Sequence, residues 1–309
     1  MRFDKLDLNL LVALDALLAE RNISRAAEKL FLSQSAMSSA LGRLRDYFGD
    51  ELLVPVRRRM ELTPRALSLQ APVRDILVRI RATIAAQPGF DPTQPGRLFN
   101  IIASDYSLDT VMPAMNALAA SQGSLSSFRF HPVLTSPARA LESGDADLLM
   151  IPQPYLSPDH PSEPLMTEEF VCVVWRGSRH AREGLTRESY MDAGHVVMVA
   201  VEHGAQGYES RFMERSGVER RIAVATYSFA SMPKLVLGTP YIATVHRRLA
   251  QRMARRLPLT VLPSPVEIPV MQLMMQWHEF RSRDPGLVWL RERMHEAVAR
   301  LDAEGLDGF

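Results

Sequence analysis

The residues best suited to chemistry lie between Gln34 and Arg43. Gln34, Ser35, Ser38, Ser39 and Arg43 recur at helical spacing, opposite a stripe of Met37, Ala40, Leu41, Leu44 and Phe48. An ordinary surface helix turns long, solvated Lys and Glu outward. This one presents short or planar hydrogen-bonding groups. Such groups suit the DNA major groove, where Gln can bond an adenine edge twice, Arg can do the same to guanine, and Ser can reach a base or a phosphate. Ser33 is a good helix N-cap, and the free N–H groups of the turn that follows could receive a phosphate. The plainer alternative is a small helical hairpin with a polar outer face.

A reading face needs elements that hold it. The stretch from Ser24 predicts a preceding helix capped by Ser24, with Ala26, Ala27, Leu30 and Phe31 on its inner face and a tight turn at Leu32-Ser33. Asp7 can cap an earlier helix through Glu20, whose Leu8, Leu11, Val12, Leu14 and Leu18 complete a three-helix core. After Phe48, Leu52–Val56 and Met60–Leu62 read as short strands around Arg57-Arg58-Arg59, a hairpin with a basic tip. Arg57, Arg58 and Thr63 are expected to touch the DNA backbone and position the protein without reading bases. From Pro64 to Ala86 the spacing predicts a long helix. Its stripe of Leu69, Val73, Ile76 and Ile80 suits contact with a second copy of itself, while Arg74, Arg79 and Arg81 face away. A core helix of the next domain is the alternative.

The segment QPGFDPTQPG (Gln87–Gly96) packs three prolines and two glycines into ten residues and marks a domain boundary. Beyond it, strands alternate with helices in two sets, which predicts two parallel-sheet subdomains. The fold class expected is α/β: an N-terminal winged helix-turn-helix plus a long linker helix, then two α/β subdomains. The expected ranges are 1–65 for the DNA-binding domain, 66–92 for the linker helix and hinge, 93–169 with 277–309 for subdomain I, and 170–276 for subdomain II.

LDLNLLVALDALLAERNISRAAEKLFLSQSAMSSALGRLRDYFGDELL, followed by LTPRA, resembles the amino-terminal signature of LysR-type transcriptional regulators. The matching features are the Leu-rich first helix, the Ala26-Ala27 pair, the LSQSAMS turn and Arg43-Leu44. The opening MRFDKLDLNLLVALDALLAERN, with Thr63–Ala66, is closer to the NodD-like branch, which includes regulators answering flavonoids and regulators of aromatic catabolism. The resemblance is specific over roughly the first seventy residues. It implies effector subdomains of periplasmic-binding-protein type, crossed twice by the chain near Phe170–Trp175 and Val270–Trp277. It also implies a homodimer or homotetramer on promoter DNA, an activator's contact with RNA polymerase, and a small, aromatic or phenolic effector. Ser35, Leu53 and Arg65-Ala66 depart from the commonest family residues, as does the Pro55 and triple-arginine wing.

In open α/β sheets, ligands bind outside the carboxyl ends of strands. That rule selects Ser104, Asp105, Tyr106, Thr135, Ser136 and Pro152 from the first subdomain, and His203, Ser228, Phe229 and Met232 from the second. Many of these residue types also serve as ordinary loop and capping groups.

Composition limits the alternatives. The 309-residue chain carries a net charge of +1, so a DNA contact must be a local patch. Its single cysteine, Cys172, sits in the apolar run Phe170–Trp175 and reads as a buried, inert thiol. The first ten residues carry acids and no long apolar run, so no export signal or membrane anchor is expected, and the cytoplasm is the expected location. There is no Gly-x-Ser-x-Gly elbow, P-loop, HExxH or dinucleotide-binding glycine motif. His195 and His203, eight apart, do not share a helix face at metal-ligand spacing, and Asp145 and Asp147 read as turn-forming. No metal, cofactor or enzymatic activity is expected. Two further classes stay open: a small-molecule binding protein whose helix-turn-helix is not its main activity, and a DNA-processing enzyme.

Overall fold

The computed structural model describes residues 7–57, 59–85, 89–133, 136–199 and 207–304, without side chains at 81–85 and 304. The chain divides into two units that meet in sequence at Gln87 and Pro88.

The first unit opens with α1 (Leu8–Glu20), capped by Asp7, whose carboxylate accepts from the Asn9 N–H at 2.9 Å. Helix α2 (Ile23–Lys29) is capped by Asn22, not by Ser24, so it starts and ends earlier than the periodicity suggested. That shift has a consequence at Phe31. It lies past the helix end in the left-handed region (φ 55°) and is 98% exposed, not part of an inner face. Helix α3 (Gln34–Phe48) begins at Ser33, whose hydroxyl accepts from the Ala36 N–H. Ala26 and Ala27 are buried where α2 packs on its neighbours, and Leu14, Leu17, Met37, Leu41 and Leu44 fill the centre. Truncating one of these leucines to alanine would cost roughly 2–5 kcal/mol.

Strands β1 (Leu53–Val56) and β2 (Arg59–Leu62) form the antiparallel wing. Leu52, expected as strand, instead turns the chain at φ 59° while fully buried; the Asp50 carboxylate holds its N–H at 2.7 Å. Helix α4 (Pro64–Ala85) packs part of its stripe inward: Val73 and Leu77 join the core, whereas Ile76 stays exposed. Arg74 does not face away but pairs with Asp15 of α1 at 3.2 Å.

The second unit contains two five-stranded sheets. The first has the order β4-β3-β5-β12-β6, from β3 (Leu98–Ala103), β4 (Ser127–His131), β5 (Leu148–Pro152), β6 (Ser162–Glu168) and β12 (Met271–Gln276). The second has the order β11-β7-β10-β8-β9, from β7 (Phe170–Trp175), β8 (Gly194–Met198), β9 (Arg221–Thr226), β10 (Ile242–His246) and β11 (Leu259–Pro263). Neither sheet is wholly parallel: β12 runs antiparallel to β5 and β6, and β7 antiparallel to β10 and β11. Only Glu169 separates β6 from β7, so the first crossover is one residue long. Met271–Gln276 belongs to the first sheet, so the second crossover precedes Met271 and does not fall at 277 as the sequence suggested. We refer to the two sheets with their helices as lobe I and lobe II.

After β3 the chain forms two helices in succession, α5 (Asp105–Thr110) and α6 (Met112–Ser121), because Pro113 restarts the helix at its first turn. The remaining helices are α7 (Pro137–Glu142), α8 (Arg179–Glu183), α9 (Arg187–Asp192), α10 (Tyr208–Arg215), α11 (Met232–Leu235), α12 (Arg247–Arg256) and α13 (Pro285–Glu304). Helix α13 returns to pack on α6, with Leu287, Leu290 and Met294 buried. Asp147 does more than turn the chain, since it accepts from the Asn100 N–H and pairs with Arg281. Cys172 is buried, and that burial pushes its thiol up to about 12. Among the described residues no helix is long and apolar enough to cross a membrane.

Candidate functional site

In the first unit the structure places Gln34, Ser35, Ser38, Ser39 and Arg43 together on the exposed side of α3, while Met37, Leu41 and Leu44 of the same helix are buried. Ser33 both caps α3 and shares a 3.0 Å hydrogen bond with the Ser35 hydroxyl. Arg43 lies 3.4 Å from Asp7 in a solvent-exposed pair. Exposed pairs of this kind contribute about 0–1 kcal/mol, so the guanidinium can leave for a base edge at little cost. Arg57 is exposed at the wing tip with φ 55°. The Thr63 hydroxyl donates to Asp50 at 2.6 Å and accepts from the Ala66 N–H, so it caps α4 beside the wing. Arg58 lies outside the described residues.

In the second unit a cavity of about 100 Å³ lies between the two sheets. Of the expected effector residues, Ser104, Tyr106, Pro152 and Phe229 line it. Asp105 and Ser228 do not line it but bind each other across the lobes: the Ser228 hydroxyl donates to the Asp105 carboxylate at 2.7 Å, and the Ala230 N–H donates to the same oxygen at 3.1 Å. Met232 is buried in the core and Ser136 is exposed, and neither reaches the cavity wall. Thr135 and His203 lie outside the described residues.

The wall is aromatic and sulfur-rich. Tyr106 stacks on His246 with ring centroids 3.7 Å apart, and Phe229 meets the same imidazole edge-on at 4.8 Å. Phe170 stacks on Tyr208, and Met150, Met198 and Met271 line the same cavity. Gly207 permits this close approach, since a Cβ there would sit 3.2 Å from the Met198 methyl and 3.3 Å from Phe229. The Tyr106 hydroxyl donates to the buried Glu168, which also receives Arg248 at 3.0 Å. Burial, with the Glu168 charge added, pushes the Tyr106 phenol far above its ordinary value. Burial alone pushes His246 down to about 3, so its ring is uncharged at neutral pH.

His246 was not selected from the sequence, although it is the last residue of β10 and the strand-end rule points to it. Tyr155 was also passed over; it closes the short 3-10 turn after β5. A wider groove of about 780 Å³ lies beside α12, but its charges are already joined as Arg247–Glu169, Arg248–Asp302 and Arg252–Asp109. It therefore offers a solvated network of ion pairs and no waiting charge from these residues. Among the described residues no cluster of three or more His, Cys, Asp or Glu could hold a metal ion.

A winged helix-turn-helix joined to a two-lobed α/β domain with a cavity between its sheets defines a class, and the comparisons agree. The model of the bacterial regulatory helix-turn-helix protein, lysR family, matches residues 8–67, and that of the LysR substrate binding domain matches residues 94–299. The chain belongs to the LysR family and is a ligand-responsive transcriptional regulator, not an enzyme. Its relatives include nodulation protein D 2 of Rhizobium leguminosarum bv. phaseoli, 38% identical over 97% of this chain and 95% of that protein. Nodulation protein D of Bradyrhizobium sp. (strain ANU 289) is 36% identical over 98% of this chain and 90% of its own length. Among solved structures, a probable transcriptional regulator of Pseudomonas aeruginosa aligns with a TM-score of 0.64 at 28% identity, covering 95% of this chain and 97% of that one. Full-length OxyR of the same species aligns with a TM-score of 0.67 over 94% of each chain, and at 17% identity it speaks for the fold alone.

Proposed function

We propose that this regulator is an activator that reads promoter DNA through Gln34, Ser35, Ser38, Ser39 and Arg43, and that a small aromatic effector held between its lobes controls it. The observation that carries the DNA half is the two-sided character of α3, fully packed on one side and lined with base-matching groups on the other. Ser33, Arg57 and Arg58 serve as phosphate contacts. The aromatic wall of the cavity supports the effector half. At about 100 Å³ the cavity is smaller than the roughly 150 Å³ that holds benzene. An effector therefore enters only as the walls part, and it shifts the lobes through its differential affinity for the two arrangements. In a homotetramer built through α4, such a shift respaces the DNA-binding heads, alters the DNA bend and changes contact with RNA polymerase in the cytoplasm.

The test is retention of the protein's own upstream intergenic DNA across a salt titration, comparing wild type with Gln34→Ala and Arg43→Ala. Each variant should lose about 1–3 kcal/mol of specific binding, roughly five- to 150-fold, while keeping its salt-sensitive unspecific binding. Retention that both folded variants share with wild type would remove α3 as the reading element.

A further inference from the structure

Two polar atoms of residues lining the cavity have no hydrogen-bond partner among the described residues: Nδ1 of His246 and the phenolic oxygen of Tyr155. Both are closed off from solvent. A buried, unsatisfied polar group is costly, and Phe would fill either position without that cost. The two belong to different lobes, with Tyr155 following β5 of lobe I and His246 ending β10 of lobe II. By contrast, the Tyr106 hydroxyl is held by Glu168 and the Ser104 hydroxyl by Ser107. No Lys, Arg, Asp or Glu is among the described residues that line the cavity. The Arg211 guanidinium stands 5.3 Å from the Tyr155 ring centroid, but Arg211 is exposed and is not part of the wall. A carboxylate entering this space would lose its hydration and meet no opposite charge.

We propose that His246 and Tyr155 are the paired hydrogen-bonding contacts for an uncharged aromatic effector with an oxygen function at each end, one end held by each lobe, and that the site discriminates against aromatic carboxylates. This rests on the reading of the cavity as the effector site. A neutral imidazole can donate to a carbonyl or accept from a hydroxyl, and the tyrosine hydroxyl can do either. A molecule that satisfies both at once favours the lobe arrangement that brings them within its reach, which gives it the differential affinity a switch requires.

The experiment titrates the full chain calorimetrically at neutral pH with two probes of matched size, para-hydroxyacetophenone and para-hydroxybenzoate. The ketone should bind at least about tenfold tighter than the carboxylate. Tyr155→Phe and His246→Phe should each weaken the ketone about tenfold, and His246→Gln, which keeps a hydrogen-bonding group, should recover most of that loss. Equal or tighter binding of the carboxylate, wild-type affinity in both Phe variants, or no binding of either probe would overturn the proposal. Retention of upstream DNA, measured on the same preparations, separates the two ideas. If the probes fail while specific retention persists, this inference falls and the regulator stands. If retention is absent, the regulator reading itself fails.

Discussion

His246 and His195 are buried imidazoles whose burial holds them at about 3 and about 4, while His180 is displaced in the same direction for the same reason. In the unfolded chain each would titrate near 6.5. Below that pH the unfolded state takes up protons that the folded state does not, so stability falls as pH falls from about 6.5 toward about 4 and, for His246, about 3. Each fully buried imidazole contributes a slope of about 1.4 kcal/mol per pH unit in that window. The urea midpoint should therefore drop between pH 7 and pH 5, and the double variant His195→Gln with His246→Gln should show a flatter dependence. An unchanged slope in that variant would mean that these imidazoles do not set the acid limit. Thr63, expected to meet the DNA backbone, also has a structural use at this scale, because its hydroxyl caps the first turn of α4 and donates to Asp50.

At the scale of elements, the Asp105 carboxylate is the point where α5 of lobe I holds the 3-10 turn Phe229–Ser231 of lobe II. Asp105→Ala removes the acceptor of two hydrogen bonds, a loss of about 1–3 kcal/mol locally. Amide exchange at Ala230 should rise roughly tenfold or more, with β8 and β10 unchanged, as read by hydrogen-exchange mass spectrometry. Unaltered protection there would show that other contacts hold the lobes. Much of the element list was legible in the sequence. The apolar run Phe170–Trp175 marked a buried strand, and Ser33 marked the start of α3. Strand β6 was missed because Pro164 and its acids break the pattern, which an edge strand tolerates. The sheet to which β12 belongs was not legible, since hydrophobic pattern gives a strand but not its neighbours. Phe31 was assigned inward because periodicity was carried past a helix that ends at Lys29. The site divided along the same line: strand ends gave Ser104, Tyr106, Pro152 and Phe229, whereas Tyr155 lies inside a turn that no period marks.

At the scale of the whole molecule, α4 is the element proposed to join copies. Ile76 is 45% exposed and Ile80 half-buried on adjoining positions of one helix face, while Val73 and Leu77 are already used by the core of the first unit. Ile76→Glu should lower the solution mass measured by light scattering toward the monomer and leave the helical circular dichroism intact. A full-size assembly in that variant would move the interface elsewhere. The placement of β12 has a consequence for synthesis. Lobe I is written in two instalments, β3 to β6 and then β12 with α13, and everything in lobe II lies between them. Domains emerging from the ribosome fold in order of completion, and here the later-starting lobe is complete first. Its final strand, β11, has left the ribosome while β5 and β6 still wait for the strand that will sit between them. A nascent chain from which β11 has emerged and β12 has not thus carries a finished DNA-binding head, a finished lobe II, and an open, unpaired seam through lobe I. Translation pauses in that interval would fall in the period of greatest exposure to aggregation and to chaperones.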